Sequence, residues 1–242
     1  MVGVGKSGTA LRIIALTILA VSASAKEKSP LQALRWSEGA PGCSFTRDED
    51  GKYRYQLQSN EFVVTVAVDS QELAKSRRRP APIFGVFITV RYLGPQFLDV
   101  SANRASLEFL KHGGVVQSSL DPDDLSSRLQ TDLDTLGAET EREARKHPEK
   151  RHEQETLQQA HLKDTTELIE FLGTHSLPSV RLDPANQETS GWVFFSTRNR
   201  WIGSWKTQED FVLRIPLGDK IVEFPFKLPP KPGDLILRQR PD

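Results

Sequence analysis

Three of the four tryptophans and three phenylalanines fall within residues 192–211. In Gly191-Trp192-Val193-Phe194-Phe195 the alternation of a strand sends Trp192 and Phe194 to one face and Val193 and Phe195 to the other, which is core chemistry. Trp201 and Trp205 have a different setting. They are bracketed by Thr197-Arg198-Asn199-Arg200 and Ile202-Gly203-Ser204, which read as loop. A loop indole flanked by guanidinium groups can stack on a sugar, peptide or proline ligand, with its N–H as a polar handle. Trp201, Trp205, Arg198 and Arg200 are therefore the candidate ligand-binding residues. The competing expectation is that both tryptophans fold back and cap one end of a β body.

Other reactive residue types lack the spacing their chemistry needs. His152 and His161 are nine residues apart, so on a helix they face opposite sides, and His147 stands beside Pro148. His152-Glu153 begins a zinc-protease helix, but Thr156 stands where its second histidine is required. No metal site and no cofactor is expected. There is no G-x-S-x-G nucleophile elbow. Cys43 could pair with His112 or His175, yet nothing local activates it, and a small buried hydrophobe is the expected role. One cysteine excludes an internal disulfide and a thiolate zinc cluster. Asp48-Glu-Asp50-Gly51 lacks the remaining ligands of a calcium loop and reads as a β-turn. Gly3-Val-Gly-Lys6-Ser7 lacks the upstream glycine and strand of a phosphate-binding loop. Lys75-Ser-Arg77-Arg78-Arg79, the one dense basic run, reads as a solvated connection before Pro80-Ala81-Pro82.

The elements that must position these residues are mostly strands. Cys43–Phe45 and Lys52–Leu57 flank the acidic turn as a hairpin. Phe62–Val68 is apolar on both faces, the pattern of a central, doubly covered strand, and Phe84–Tyr92 repeats it. Ala105–Leu110 and Val115-Val116 flank Lys111-His-Gly-Gly114, a second hairpin. Gly191–Phe195, Phe211–Ile215 and Ile221–Phe226 are three later strands, the last two joined by a turn at Leu217–Lys220. Pro225, which cannot donate to a ladder, predicts an edge position for the final strand.

Asp121-Pro-Asp-Asp124 is a helix start, with a capping Asx, a proline at the first helical position and carboxylates at the positive dipole end. Leu125, Leu129, Leu133 and Leu136 make one apolar stripe, which fades and returns with Leu157, His161, Leu168, Phe171 and Leu172. Pro148 breaks the pattern between them. An antiparallel helical hairpin with a charged tip at His147-Pro148 is expected; one long bent helix is the alternative.

The first 25 residues have the form of an export signal: Lys6 and Arg12, an apolar stretch over Ile13–Val21, then Ala23-Ser-Ala25 as the cleavage site. That stretch is shorter than the ~20 residues a spanning helix needs. Secretion or periplasmic location after cleavage near Ala25 is expected, with retention as an anchor the alternative. The formal charge of the chain is zero, with 32 basic and 32 acidic residues; loss of Lys6 and Arg12 leaves the mature chain slightly acidic. Such a balance excludes the basic excess of a nucleic-acid binder.

The boundaries are therefore a signal (1–25), a leader (26–42), a first β part (43–120), a helical insertion (121–175), a second β part (176–228) and a Pro-rich tail (229–242). The pattern is mainly β, an antiparallel sandwich of about eight strands carrying a helical hairpin. On the strand count and on segments such as Gly191–Phe195 and Phe211–Ile215, the chain resembles bacterial secreted proteins with an immunoglobulin-like β-sandwich. The resemblance covers residues 43–226 loosely, lacks the Cys…Trp…Cys set of antibody domains, and implies no activity. The functional expectation is a non-enzymatic binding or scaffold module whose helices dock another extracytoplasmic protein. A polysaccharide- or cell-wall-binding domain using the loop tryptophans is the alternative, followed by an enzyme without a recognisable motif.

Overall fold

The computed structural model describes residues 32–47, 53–68, 80–201 and 207–228. The export signal, the Asp48–Gly51 turn, the Lys75–Arg79 run, Trp205 and the C-terminal tail lie outside the described residues. Twelve strands and two long helices are formed: β1 (Gln32–Arg35), β2 (Cys43–Arg47), β3 (Tyr53–Gln58), β4 (Phe62–Val68), β5 (Ile83–Tyr92), β6 (Leu98–Val100), β7 (Ser106–Phe109), β8 (Val116–Ser118), α1 (Pro122–Lys146), α2 (Arg151–His175), β9 (Val180–Leu182), β10 (Glu188–Ser196), β11 (Glu209–Leu217) and β12 (Lys220–Leu228). The fold is mainly β with antiparallel sheets. One five-stranded sheet has the order β1-β12-β11-β7-β8 and the other β10-β5-β4-β3-β2, with β6 and β9 paired separately.

The alternation seen in the sequence explains how both sheets bury one face. From the first sheet, Leu107, Phe109, Phe211, Leu213, Ile215, Val222 and Phe224 enter the core; from the second, Phe45, Tyr55, Val64, Val66, Phe84, Val86, Ile88, Val193 and Phe195 enter the same cluster. The expected Lys111–Gly114 turn joins β7 and β8, with Gly114 at φ 79°, and the Leu217–Lys220 turn joins β11 and β12, with Gly218 at φ 60°.

Two placements differ from the sequence reading. Within the segment read as a leader, residues 32–35 form β1, paired parallel with Lys220–Glu223. Trp36, next in the chain, is buried against Tyr55 with ring centroids 5.0 Å apart, and its indole N–H donates to the Ser44 carbonyl. β12 is consequently the second strand of its sheet and not the edge. Its proline is tolerated for a local reason. The carbonyls of Asp219 and Glu223 accept from the N–H groups of Gln32 and Trp36, so odd-numbered residues of β12 face β1. Pro225 turns its nitrogen to that side just past the end of β1, so its missing N–H breaks no pairing within the β1–β12 register.

The helices cover part of the outer face of the second sheet. Leu125 and Leu129 of α1 and Leu168 and Leu172 of α2 form a buried cluster with Ala81, Ile83 and Phe194. α1 is interrupted at His147, as Pro148 requires, and a single 3-10 turn, Pro148–Lys150, leads into α2. The Asp121 carboxylate accepts from the N–H groups of Asp123 and Asp124 at 3.0 and 3.3 Å. The Asp124 N–H bond, with help from the Asn103 side chain and the Asp123 N–H, holds the Asp121 carboxyl below its ordinary range. A depressed folded pKa stabilises above the unfolded value, and the contribution fades as pH falls through the folded one.

Both ends of this insertion are fixed to one edge strand. The Leu120 N–H donates to the Phe194 carbonyl at 2.8 Å and the Leu177 N–H to the Trp192 carbonyl at 2.9 Å. β10 is thus closed along its outer edge by the chain entering and leaving the helices, and the two anchor points are neighbours. Among the described residues no helix is long and apolar enough to cross a membrane.

Candidate functional site

Three of the four sequence-selected residues can be placed. Trp201 is half-buried at the β7–β8 end of the molecule, where it packs against the core. Its ring stacks on the His112 imidazole with centroids 4.3 Å apart and planes inclined by 17°, and meets Phe109 at 5.3 Å. The Arg200 guanidinium lies over the indole at 4.9 Å from the centroid. The loop conformation that holds it comes from Asn199, whose side-chain oxygen accepts the Trp201 N–H at 3.0 Å and whose amide donates to Gln117. Arg198 lies apart from that cluster, beside α1, lining a small hollow with Pro80, Leu125, Arg128 and Asp132. Within the molecule the indole is thus engaged by His112, Phe109 and Arg200.

The neighbour of this cluster is a residue that the sequence search passed over. Glu209 opens β11 on its inward phase, in step with Phe211, Leu213 and Ile215, and is only 4% exposed. A charged residue in an inward register was the signal that could have revealed it. His112 Nε2 lies 3.2 Å from Glu209 Oε2, an ion-pair distance without hydrogen-bond alignment, since neither atom makes a hydrogen bond. Lys111 adds a bond from Nζ to the Gln208 carbonyl and pairs with Asp210 at 3.7 Å. The arrangement locks the β7–β8 turn to the start of β11. Among the described residues no serine, threonine or cysteine side chain is bonded to either member of the pair. Breaking such a pair strands one buried polar group. We expect the coupling energy of a His112→Ala, Glu209→Gln cycle to reach about 1–2 kcal/mol in urea unfolding; additive effects would show that the contact carries no energy.

The remaining candidates also stay apart. Cys43 is half-buried on β2 and packs against the core, whereas His112 faces Glu209 and His175 stacks on Phe171 at 4.6 Å. His147 faces Glu149 at 3.3 Å near the tip between the helices, His152 is exposed, and His161 faces the seam between the helices. Among the described residues no three His, Cys, Asp or Glu side chains converge to hold a metal.

The seam itself is concave. A groove of about 400 Å³ is lined by Leu136, Glu139, Thr140 and Glu143 of α1 and by Gln154, Leu157, Gln158 and His161 of α2. Each set repeats at i, i+3, i+4, i+7, so each is one helix face. Near the sheet the facing positions are leucines; farther out they become Gln158, Gln154 and His161, which pack less closely. Leu157 and Leu162 are left 65% and 49% exposed. Residues 121–175 hold 14 Asp and Glu against seven Lys and Arg, which leaves the rest of this neutral chain with a basic excess.

No family model matches the chain, and comparison with curated proteins and with solved structures likewise finds no match.

Proposed function

We propose that the protein is a non-enzymatic, extracytoplasmic binding or scaffold module. In this reading an immunoglobulin-like sandwich is the rigid base and the two helices form a hairpin that docks a basic, amphipathic partner protein. The observation that carries it is the division of labour along the helices. Their sheet-proximal ends are spent on packing, through Leu125, Leu129, Leu168 and Leu172, while their far ends leave Leu157 exposed in a groove it shares with Leu136, rimmed by Glu139 and Glu143. An apolar patch of Leu136 and Leu157 in an acidic surround suits a helix with apolar anchors and Lys or Arg flanks. Helix-to-helix docking of a second copy is disfavoured, because both insertions carry the same acidic excess.

The structure sets the limits of the test. Removing the whole insertion would uncover Phe194 and Ile83, so the truncation must spare the packed ends. Gly137 lies beside Gln158, close enough for a short Gly/Ser link to replace residues 138–157. We expect that variant to keep its β core and its Tm within a few degrees. Pull-down from an extracytoplasmic fraction should then recover a partner with the full chain and not with the truncated one, and added salt should weaken the capture. Equal recovery by both proteins would defeat the proposal, as would a partner unaffected by Leu157→Glu.

A further inference from the structure

The two sheets present opposite chemistry on their outer faces. On the first, Arg214 bonds Glu223 at 2.9 Å and Glu108 at 2.7 Å, and Arg35 approaches Glu223 at 3.7 Å. That is a ladder of alternating charge centred on Glu223, which is itself buried. The outer face of the second sheet carries an uncharged row. Its register brings Ser190 opposite Thr89, Thr89 opposite Thr65, Thr65 opposite Gln56 and Gln56 opposite Ser44. Five uncharged hydroxyl or amide side chains thus line up across five strands. The flanking residues Val64, Val66, Tyr55, Ile88 and Val193 are buried in the core, which by alternation puts the polar row on the other side.

The adjacent row begins with aromatics. Trp192 is registered with Phe87, their centroids 5.5 Å apart in an edge-to-face arrangement, and both are half-buried. They sit at the rim of the helix-covered area, with Phe171 of α2 6.3 Å from Trp192. Along the sheet this gives an aromatic shelf, then a ladder of hydroxyls and amides at the ~4.8 Å strand spacing. The polar groups of this row carry no charge, so they neither repel nor neutralise one another.

We propose that this face binds a neutral polysaccharide, laid across the strands with one pyranose ring on Trp192 and its hydroxyls on Thr89, Thr65 and Gln56. A sugar ring has an apolar face and a hydroxyl rim, and the two rows match those parts separately. Charge selects the neutral class. Arg54 and Arg91 are the cations described on this part of the face, Arg91 is opposite Glu188, and the neighbouring helices carry twice as many acidic as basic residues. An anionic polymer would be repelled by those helices. A peptide adding as a strand at β10 would find the outer carbonyls at 192 and 194 taken by Leu177 and Leu120. This site is separate from the helical docking surface and uses Trp192, not the loop tryptophans.

The test titrates the mature chain with cellohexaose, xylohexaose and chitohexaose, and with polygalacturonate as the anionic comparison, following tryptophan fluorescence and heat. At least one neutral hexasaccharide is expected to bind with a submillimolar Kd. Gln56→Ala with Thr89→Val should weaken it at least ten-fold without changing Tm, and Trp192→Phe should remove the fluorescence response. Replacing residues 138–157 should leave binding intact, which separates this site from the helix reading. Absence of binding by all three neutral sugars, tighter binding of polygalacturonate, or unchanged affinity in the Gln56→Ala, Thr89→Val variant would each overturn the proposal.

Discussion

A valine at position 191 is expected to destabilise the protein by about 3 kcal/mol, which for a chain of this size lowers Tm by roughly 6–12 °C. Gly191 lies in β10 where the chain leaving α2 crosses it. A Cβ built there would stand 2.5 Å from the Leu177 nitrogen and Cα and 2.7 Å from the Ser176 carbonyl carbon. All three are backbone atoms, so no rotamer change relieves the clash. Relief requires moving the strand or moving residues 176–177, and the latter breaks the bond from the Leu177 N–H to the Trp192 carbonyl. Leu177 is itself a core residue, so its displacement would open the main cluster as well. Gly113 is the control, because a Cβ there meets nothing within 4 Å; alanine at that site should shift stability by less than about 0.5 kcal/mol. Thermal or urea unfolding of both variants decides the matter. A Gly191→Val protein as stable as the parent would refute the close crossing of these two segments.

Leu172→Ala is expected to cost about 2–5 kcal/mol, with the loss concentrated where the helices join the sheet. Leu172 is 0% exposed and belongs to the cluster that includes Leu125, Leu129, Ile83 and Phe194. Truncation leaves a cavity bounded by two helices and a strand pair, and the helices are the less anchored side. Hydrogen exchange should therefore speed up in α1 and α2 well before it does in β4, β5 or β11, the strands at the centre of the sheets. The comparison is Leu157→Ala, a leucine on the same helix that is 65% exposed, whose stability effect should stay within about 0.5 kcal/mol. Uniform acceleration of exchange through sheets and helices would show that the two are one cooperative unit and remove the basis for a separable docking arm.

Where the signals are local, the sequence carried the fold. The start of α1 is written in four consecutive residues, and the Asp121 side chain makes the capping bonds its type implies. The break before Pro148 and the turns at Gly114 and Gly218 follow from the same short-range stereochemistry. Strand β1 was not legible. Gln32–Arg35 has no alternation of its own and becomes a strand because Lys220–Glu223, remote in the chain, offers it a free edge. β6 and β9 are three residues each and stabilise only as a pair brought together across the helical insertion. β4 shows a partial case: apolar on both faces in sequence, it lies at the centre of its sheet, yet Val63 and Thr65 on the outer side are only half-buried.

The candidate site was read less fully than the fold. Trp201 was recognisable as a loop indole beside arginines, but its role depends on His112, which reaches it from a different sheet strand pair. Glu209 could have been flagged by its inward phase, although what it meets could not. The row from Ser190 to Ser44 has no sequence signature at all, since each member is a single ordinary polar residue on a different strand.

By itself, the sequence determined the β-dominated composition, the interruption and capping of the helices, the single thiol, and the acidic character of the insertion. Those properties depend on residue type and short-range spacing, which the chain carries wherever it folds. Only the tertiary structure decided which strands neighbour one another, that the helices cover one end of the second sheet, that Trp201 is engaged internally, and that five unrelated polar residues share one open row. Register across a sheet is set by pairing between distant segments, and a shift of one residue would send every one of those side chains to the opposite face.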